Sequence, residues 1–232
     1  RGRIWRISPA GSANTPPPKL AKVKEAELVK KLADPTPWQR LTAQRLLIEK
    51  QAGSQAAKLR ESLRSAAHPQ GRLQALYTLE GIGKVSAEDL LTALEDADYC
   101  VRLHALRLAD SRLAEDGRLL KKIISMTGDA DPLVRLQVAM SLGESSSQKA
   151  VAALVEMTRE RLAERWMKAA ILSSVKNTAG ELLGGLLRGD ESKPDPALAE
   201  SLALIAGSRR RQEELGDLFE NLAQLGKDNQ AL

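Results

Sequence analysis

The chain has 232 residues, of which 43% are hydrophobic and 28% charged, a balance that indicates a folded protein rather than a disordered tail. Aromatic residues make up only 3%, and Leu and Ala fill most apolar positions, which favours helices over a β-sandwich or barrel. One cysteine excludes an internal disulfide and any site built from several thiolates. Because no apolar run approaches the roughly 20 residues that span a bilayer, no membrane insertion is expected.

The net charge of +5 is unevenly distributed. Residues 1–34 contain eight basic and three acidic residues, whereas the basic and acidic residues of the remaining chain balance. A protein that follows a phosphate backbone needs basic surface along its length. The sequence therefore predicts no nucleic-acid partner.

The first 19 residues differ from the rest. Residues 1–7 alternate in the manner of a short strand, and residues 8–19 include five residues of Pro or Gly typical of an extended linker. A lone strand is not stable in water, and the chain begins at Arg1, so we expect a piece of a longer protein. We predict a strand remnant with a Pro-rich linker over 1–19 and a helical domain over 20–232.

An internal repeat is the strongest signal in the sequence. Five segments align on an arginine, with successive arginines 30 to 33 residues apart, and seven residues after each arginine stands Leu or Ala. Apolar residues spaced by three, four and seven lie on one stripe of a helix. The aligned arginines are Arg40, Arg72, Arg102, Arg135 and Arg165.

A second amphipathic segment follows each arginine helix. We take the arginine helix to be the first helix of each pair. An opening helix over 22–33 precedes the repeats, and a sixth unit over 195–206 and 212–225 lacks the arginine. Two helices in about 30 residues form one unit of an α-α superhelix, since one pair cannot bury its apolar stripe alone. We predict an all-α solenoid of about six helix pairs, in which the second segments cover 55–67, 86–94, 117–127, 148–159 and 179–188.

Two turns carry an Asp-x-x-Val-Arg signature that begins at Asp98 and at Asp131. Asp suits the N-cap of a helix, and Pro132 suits its first turn. The signature resembles HEAT repeats, the armadillo-like α-solenoid family. That resemblance implies a ladder of bonded Asp and Arg side chains between adjacent repeats, here Asp98, Arg102, Asp131, Arg135, Arg40 and Arg72.

A narrower resemblance covers the start of the chain. Residues 2–7, the Pro-rich linker, residues 28–32 and residues 38–47 look like the middle of large exported bacterial dehydrogenase-like proteins. Those proteins join a glucose/sorbosone-dehydrogenase-type propeller, a HEAT array and a cytochrome c domain. The resemblance implies that the array is a connector and that the parent protein lies in the periplasm or at the cell surface. The haem signature Cys-x-x-Cys-His is absent.

No motif predicts a catalytic, metal or cofactor site. Cys100 and His104 lie one helical turn apart, but a small packed thiol is the simpler interpretation. His68 and His104 are too few and too distant for zinc. Trp38 and Trp166 suit packing between helices better than base stacking. We therefore expect no cofactor and no enzyme activity from this chain.

The favoured hypothesis is a non-catalytic scaffold that binds protein, either neighbouring domains of the same parent or another chain. A HEAT-repeat nucleic-acid-binding or DNA-repair protein is the alternative, and a small chromophore lyase is a third. The expected interaction surface is the mixed charge of the second helices. It comprises Lys58, Arg60, Glu61, Glu88, Asp89, Lys121 and Lys122.

Overall fold

The structure, a computed structural model, describes residues 9–11, 18–188 and 194–209, together with Gly216 and Phe219. These residues contain helices and no strand. The α-helices are α1 (Glu25–Lys31), α2 (Pro37–Glu49), α3 (Ala56–Ser65), α4 (Pro69–Gly81), α5 (Ala87–Leu94), α6 (Tyr99–Ala109), α7 (Gly117–Ile124), α8 (Pro132–Leu142), α9 (Gln148–Arg161), α10 (Met167–Ser174), α11 (Ala179–Leu187) and α12 (Pro196–Arg209). The prediction of an all-α solenoid is confirmed.

Some predicted elements lie outside the described residues. These are the strand over 1–7, most of the linker over 8–19, and the second helix of the sixth unit over 212–225, apart from Gly216 and Phe219. The predicted opening helix is shorter than expected, because Val23 and Lys24 are extended and separate α1 from a 3₁₀ turn at Leu20–Lys22. In the described part of the chain, no helix combines the length and apolarity needed to cross a membrane.

The helices form two rows. The arginine row consists of α2, α4, α6, α8, α10 and α12, and the opposite row consists of α1, α3, α5, α7, α9 and α11. Each arginine-row helix packs as a hairpin on the helix before it, most extensively in α3–α4 and α5–α6. In α2, α4, α6 and α10 the arginine-row helix therefore closes its pair, whereas the sequence alignment took it to open the pair; α8 contacts α7 and α9 equally.

Capping residues explain where several helices begin. Asp98 and Asp131 accept backbone hydrogen bonds at the start of α6 and α8, and Asp116 and Ser147 do so at α7 and α9. Each satisfies an amide that has no partner within the helix. Pro opens α2, α4 and α8, where its missing N–H costs nothing.

Burial fixes the register of the repeats. In α8, Val134, Val138 and Leu142 are fully buried and stand one residue before, three after and seven after Arg135. In α10 and at its C-cap, the buried residues at these three positions are Met167, Ile171 and Val175. Lys168 therefore occupies the arginine position of the fifth unit, and the alignment on Arg165 is wrong by three residues.

Candidate functional site

The arginine row carries a ladder of ion pairs along one end of its helices, and Arg102 shows its geometry. Its Nε and Nη2 donate to the two carboxylate oxygens of Asp129 at 2.9 and 2.7 Å. Its Nη1 donates to the carbonyl oxygens of Asp96 and Ala97 at 2.9 and 3.1 Å. The planar guanidinium thus joins the turn before α6 to the turn before α8, a bridge that the single ammonium group of lysine does not reproduce.

Neighbouring rungs repeat this arrangement. Arg72 binds Asp96 through Nε and Nη2 at 2.6 and 2.7 Å, and Arg135 binds Glu164 with its closest contact at 2.8 Å. Lys168 replaces arginine in the last rung and contacts Asp195 at 2.9 Å. We call these four pairs the ladder: Arg72–Asp96, Arg102–Asp129, Arg135–Glu164 and Lys168–Asp195.

The ladder acids differ from those expected. Asp98 and Asp131 cap α6 and α8 and have no hydrogen bond to an arginine, whereas Asp96 and Asp129, two residues earlier, bind Arg72 and Arg102. Asp96 and Asp129 also accept the backbone N–H of the capping Asp that follows each of them, at 2.8 and 2.9 Å. In each of these turns, one carboxylate therefore joins two repeats and the other caps a helix.

The ladder carboxyls are stabilised in their ionised form. Burial is the largest single effect and raises the pKa of Asp96 and Asp129. The hydrogen bonds from Arg72 and Arg102, the backbone N–H groups of Asp98 and Asp131 and the nearby arginine charges together outweigh burial, so both pKa values lie below the ordinary value. The pKa of Glu164 is lowered chiefly by its hydrogen bonds with Arg135. These acids are therefore charged at neutral pH and keep the ladder formed.

The first arginine lacks a carboxylate. Arg40 Nη1 donates to the carbonyl oxygens of Asp34 and Pro35 at 2.8 and 2.9 Å, as the ladder arginines do with their own turns. Its Nε is buried and has no hydrogen-bond partner. Ala66 stands where Asp96 and Asp129 stand in the next two turns, six residues before the following arginine. The missing acid explains the unpaired guanidinium nitrogen.

Replacing Ala66 with Asp is therefore expected to stabilise the protein by about 1 kcal/mol, because the new carboxylate pairs with Arg40 in a preformed site. Thermal and urea unfolding measure the gain. Ala67→Asp in the same turn is the matched control, since Ala67 is exposed and should give no gain. The gain should vanish in an Arg40→Ala background, and a gain that persists there would contradict the pairing.

The expected charged surface on the opposite row is only partly available. Asp89 is 4% exposed, forms the capping box of α5 with Ser86, and accepts from Arg60 Nε at 3.0 and 3.1 Å. Lys122 is paired with Glu95 at 2.9 Å. Asp89 therefore stabilises the fold, and its buried carboxylate is not available to a partner. The exposed members of the predicted set are Lys58, Glu61, Glu88 and Lys121.

Exposed apolar side chains lie instead on the arginine row. In the described part of the chain, no large hydrophobic side chain of the opposite row is exposed, whereas the arginine row exposes many. Those in its helices or at an N-cap are Trp38, Leu41, Tyr99, Leu133, Met140, Trp166 and Leu204. An apolar surface of this kind marks a site of interaction more often than scattered single residues do.

Five of these side chains follow the repeat. Relative to Arg40, Arg135 or Lys168, they fall two before, one after or five after, which is one helix face outside the buried stripe. Tyr99 and Leu204 do not share this spacing. In α4 and α6, half-buried Leu73, Tyr77 and Leu103 stand at three of these positions, and the other three hold Gln70, Cys100 and Arg107. We call this surface the apolar face, and its members are Trp38, Leu41, Leu73, Tyr77, Leu103, Leu133, Leu136, Met140 and Trp166.

Polar side chains of neighbouring helices pair beside the apolar face. The Tyr77 hydroxyl lies 2.7 Å from His104 Nδ1, and Arg107 Nε donates to Gln137 Oε1 at 3.0 Å. Burial, helped by Arg107, lowers the pKa of His104, so the neutral ring can accept from Tyr77. His104 is therefore engaged with Tyr77 rather than with Cys100. Across the described residues, no three His, Cys, Asp or Glu side chains come together as a metal site would require.

Trp166 is the most exposed side chain of the apolar face, at 63%. Its φ of 69° is left-handed, a conformation that strains a bulky residue, and the Arg165 guanidinium lies 5.2 Å from its ring centroid. Strained residues persist where the surrounding structure requires them, and they are common at functional sites. Sequence reasoning assigned Trp38 and Trp166 to packing between helices, but both are exposed.

The family comparison agrees with this geometry. Residues 87–176 match the family model for HEAT repeats, and the matched segment runs from α5 to just past α10. It contains three of the four ladder cations and the larger part of the apolar face. No curated protein matches the chain. The chain is therefore an α-α solenoid whose central segment, residues 87–176, is similar to HEAT repeats.

Proposed function

We propose that this solenoid is a non-catalytic scaffold that binds a protein partner through the apolar face. The observation that carries the proposal is the segregation of exposed apolar side chains to the arginine row. Leu133 and Trp38 are each 52% exposed, and burial of such side chains by a partner is favourable by about 25 cal/mol per Å² of apolar surface. HEAT solenoids present extended surfaces of this kind to proteins.

The charge beside the apolar face favours protein over nucleic acid. The ladder uses Arg72, Arg102 and Arg135 internally, where each holds a carboxylate. The exposed cations that remain near the face are few, and Leu and Met lie between them. Nucleic acid carries one phosphate per about 3.4 Å of each strand, which requires a denser row of cations.

The proposal also includes the larger protein to which the scaffold belongs. The resemblance of residues 2–7 and 38–47 to exported dehydrogenase-like proteins supports a connector role between domains of a larger redox protein outside the cytoplasm. In that role the partner is a neighbouring domain of the same chain or a protein that docks on it. This part of the proposal rests on the resemblance alone.

Site-specific photo-crosslinking in the cells that make the protein tests the binding surface. A benzophenone amino acid replaces Leu133 on the apolar face or, as the matched control, Lys121 on the opposite row, both of which are exposed. We expect covalent protein adducts from position 133 and few from position 121. Equal adducts from both positions, or adducts from position 133 that disappear on nuclease treatment, would overturn the proposal.

A further inference from the structure

Arg40 uses only part of its guanidinium group. In Arg72, Arg102 and Arg135, Nη1 donates to carbonyl oxygens of the preceding turn, while Nε and Nη2 together hold a carboxylate of the next turn. Both hydrogen bonds of Arg40 to described residues come from Nη1, and its buried Nε has no partner. The edge of Arg40 that corresponds to the carboxylate-binding edge of the ladder arginines is therefore open.

The acidic residue nearest to Arg40 in the sequence, Asp34, is engaged elsewhere. Its carboxylate accepts from Lys31 Nζ at 2.9 Å and from the Thr36 backbone N–H at 3.0 Å. Arg40 bonds instead to the carbonyl oxygen of Asp34. The turn over 65–69, which stands where later turns supply the ladder acid, contains no Asp or Glu. Within the described part of the chain, the buried Nε of Arg40 is thus left without a carboxylate.

The occupied rungs of the ladder define what the open edge would bind. In the rung of Arg102, the two oxygens of Asp129 lie 2.9 and 2.7 Å from Nε and Nη2, so the planar guanidinium holds the carboxylate by two parallel bonds. Ala66 stands at the matching position for Arg40, and Ala differs from Asp by one carboxylate group. A buried donor without a partner is unfavourable, which favours a ligand that supplies the missing oxygens.

The position of the missing acid can be reached from solvent. Ala66 is half-buried and lines a cleft of about 440 Å³ between α1 and α3, together with Ala33 and Ser62. Ala33 directly precedes the two residues whose carbonyl oxygens Arg40 holds. A cleft of this volume admits a small organic molecule or one side chain of a partner.

We propose that the open edge of Arg40 is a binding site for a carboxylate that another molecule supplies, either a free organic acid or an Asp or Glu side chain of a partner protein. The bound carboxylate takes the place of the missing acid and joins the turn before α2 to the turn before α4, as the ladder pairs join the later turns. The site lies in the turns and not on the apolar face, so it goes beyond the proposed function and does not depend on it.

Nuclear magnetic resonance of the ¹⁵N-labelled chain tests the site directly. Acetate is the probe, with chloride keeping the ionic strength constant, and the Nε–H signal of Arg40 is identified by its loss in Arg40→Lys. We expect acetate to shift this signal in a saturable manner. The Nε–H signals of Arg72 and Arg102 should not move, because carboxylates of the chain already occupy those sites. Acetamide, which has the shape of acetate without its charge, should shift none of them.

Two variants of the turn before α4 provide the matched comparison. Ala66→Asp supplies the carboxylate from within the chain and should weaken acetate binding by about tenfold or more. Ala67→Asp adds the same charge at the next, exposed position and should leave acetate binding unchanged. Circular dichroism verifies that both variants keep their helical content.

A second probe separates the two sources of the carboxylate. An acetylated and amidated Ala-Asp-Ala tripeptide carries only the side-chain carboxylate. Tighter binding of this peptide than of acetate supports an acidic side chain of a partner protein, whereas tighter binding of acetate supports a free organic acid.

Three outcomes overturn the inference. These are the absence of a saturable shift with either probe, an equal shift of the Arg72 and Arg102 signals, or an unchanged acetate affinity in Ala66→Asp. The failure of the proposed function is separate, because it appears as the loss of protein adducts at position 133 in cells.

Discussion

Replacing Arg102 with Ala is expected to lower the free energy of unfolding by about 3 kcal/mol. The Asp129 side chain is only 10% exposed, and the change leaves its carboxylate without the guanidinium that holds it ionised. The carbonyl oxygens of Asp96 and Ala97 also lose their donor. Arg102→Lys should recover less than half of the loss, because lysine cannot form the two parallel bonds to the carboxylate. Urea unfolding followed by circular dichroism measures both variants.

Two ion pairs that are more exposed serve as controls, with progressively smaller expected losses of stability. Arg135→Ala should cost about 1–3 kcal/mol, since Glu164 at 25% exposure is more hydrated than Asp129. Arg45→Ala should cost less than about 0.5 kcal/mol, because Arg45 and Glu49 are both exposed. If Arg102→Ala were as stable as Arg45→Ala, the ladder would contribute nothing to the fold. Because a solenoid can unfold in parts, the comparison should use the midpoint and the slope of each transition.

Replacing Gly143 with Ala is expected to destabilise the protein by about 2–3 kcal/mol. Gly143 ends α8 where that helix approaches the end of α10, and an added Cβ would lie 2.5 Å from Ser174 Cα and 2.6 Å from Ser174 Cβ. Because the obstacle includes the backbone of Ser174, the two helices must move apart. Thermal unfolding measures the loss.

Gly207→Ala is the matched control for Gly143→Ala. Gly207 lies in α12, and no atom stands within 4 Å of the position an added Cβ would take. Ala is the better helix former, so this variant should gain about 0.5–1 kcal/mol. If both variants lost stability equally, the contact between α8 and α10 would not be the cause.

The shape of the apolar face depends on the contact between α8 and α10. Leu133 and Met140 lie on α8 and Trp166 begins α10, so the distance between these two helices sets the width of the face at that end. Gly143→Ala should therefore disturb partner binding as well as stability, whereas Gly207→Ala should leave binding unchanged. The two variants separate a defect of the surface from a general loss of helix.

The sequence by itself determined the helical repeat, the solenoid and the importance of the arginines. Its apolar spacing of three, four and seven predicts a buried stripe, and Leu142 seven residues after Arg135 is fully buried as that spacing requires. Local signals were sufficient because helix periodicity and capping depend on residues only a few positions apart. Asp98 and Asp131 were recognised as caps for the same reason.

Only the tertiary structure decided which residues meet between repeats. Asp96 and Asp98 share one turn and one chemistry, and the choice of Asp96 as the ladder acid depends on the position of Arg72, 24 residues away. Arg165 matched the repeat by residue type, but its helix begins one turn later, so Lys168 reaches Asp195 instead. The exposure of Trp38 and Trp166 likewise depends on which helices stack beside them. Contacts between distant residues follow from packing of the whole chain, and a periodic pattern fixes the face of a helix without fixing what covers it.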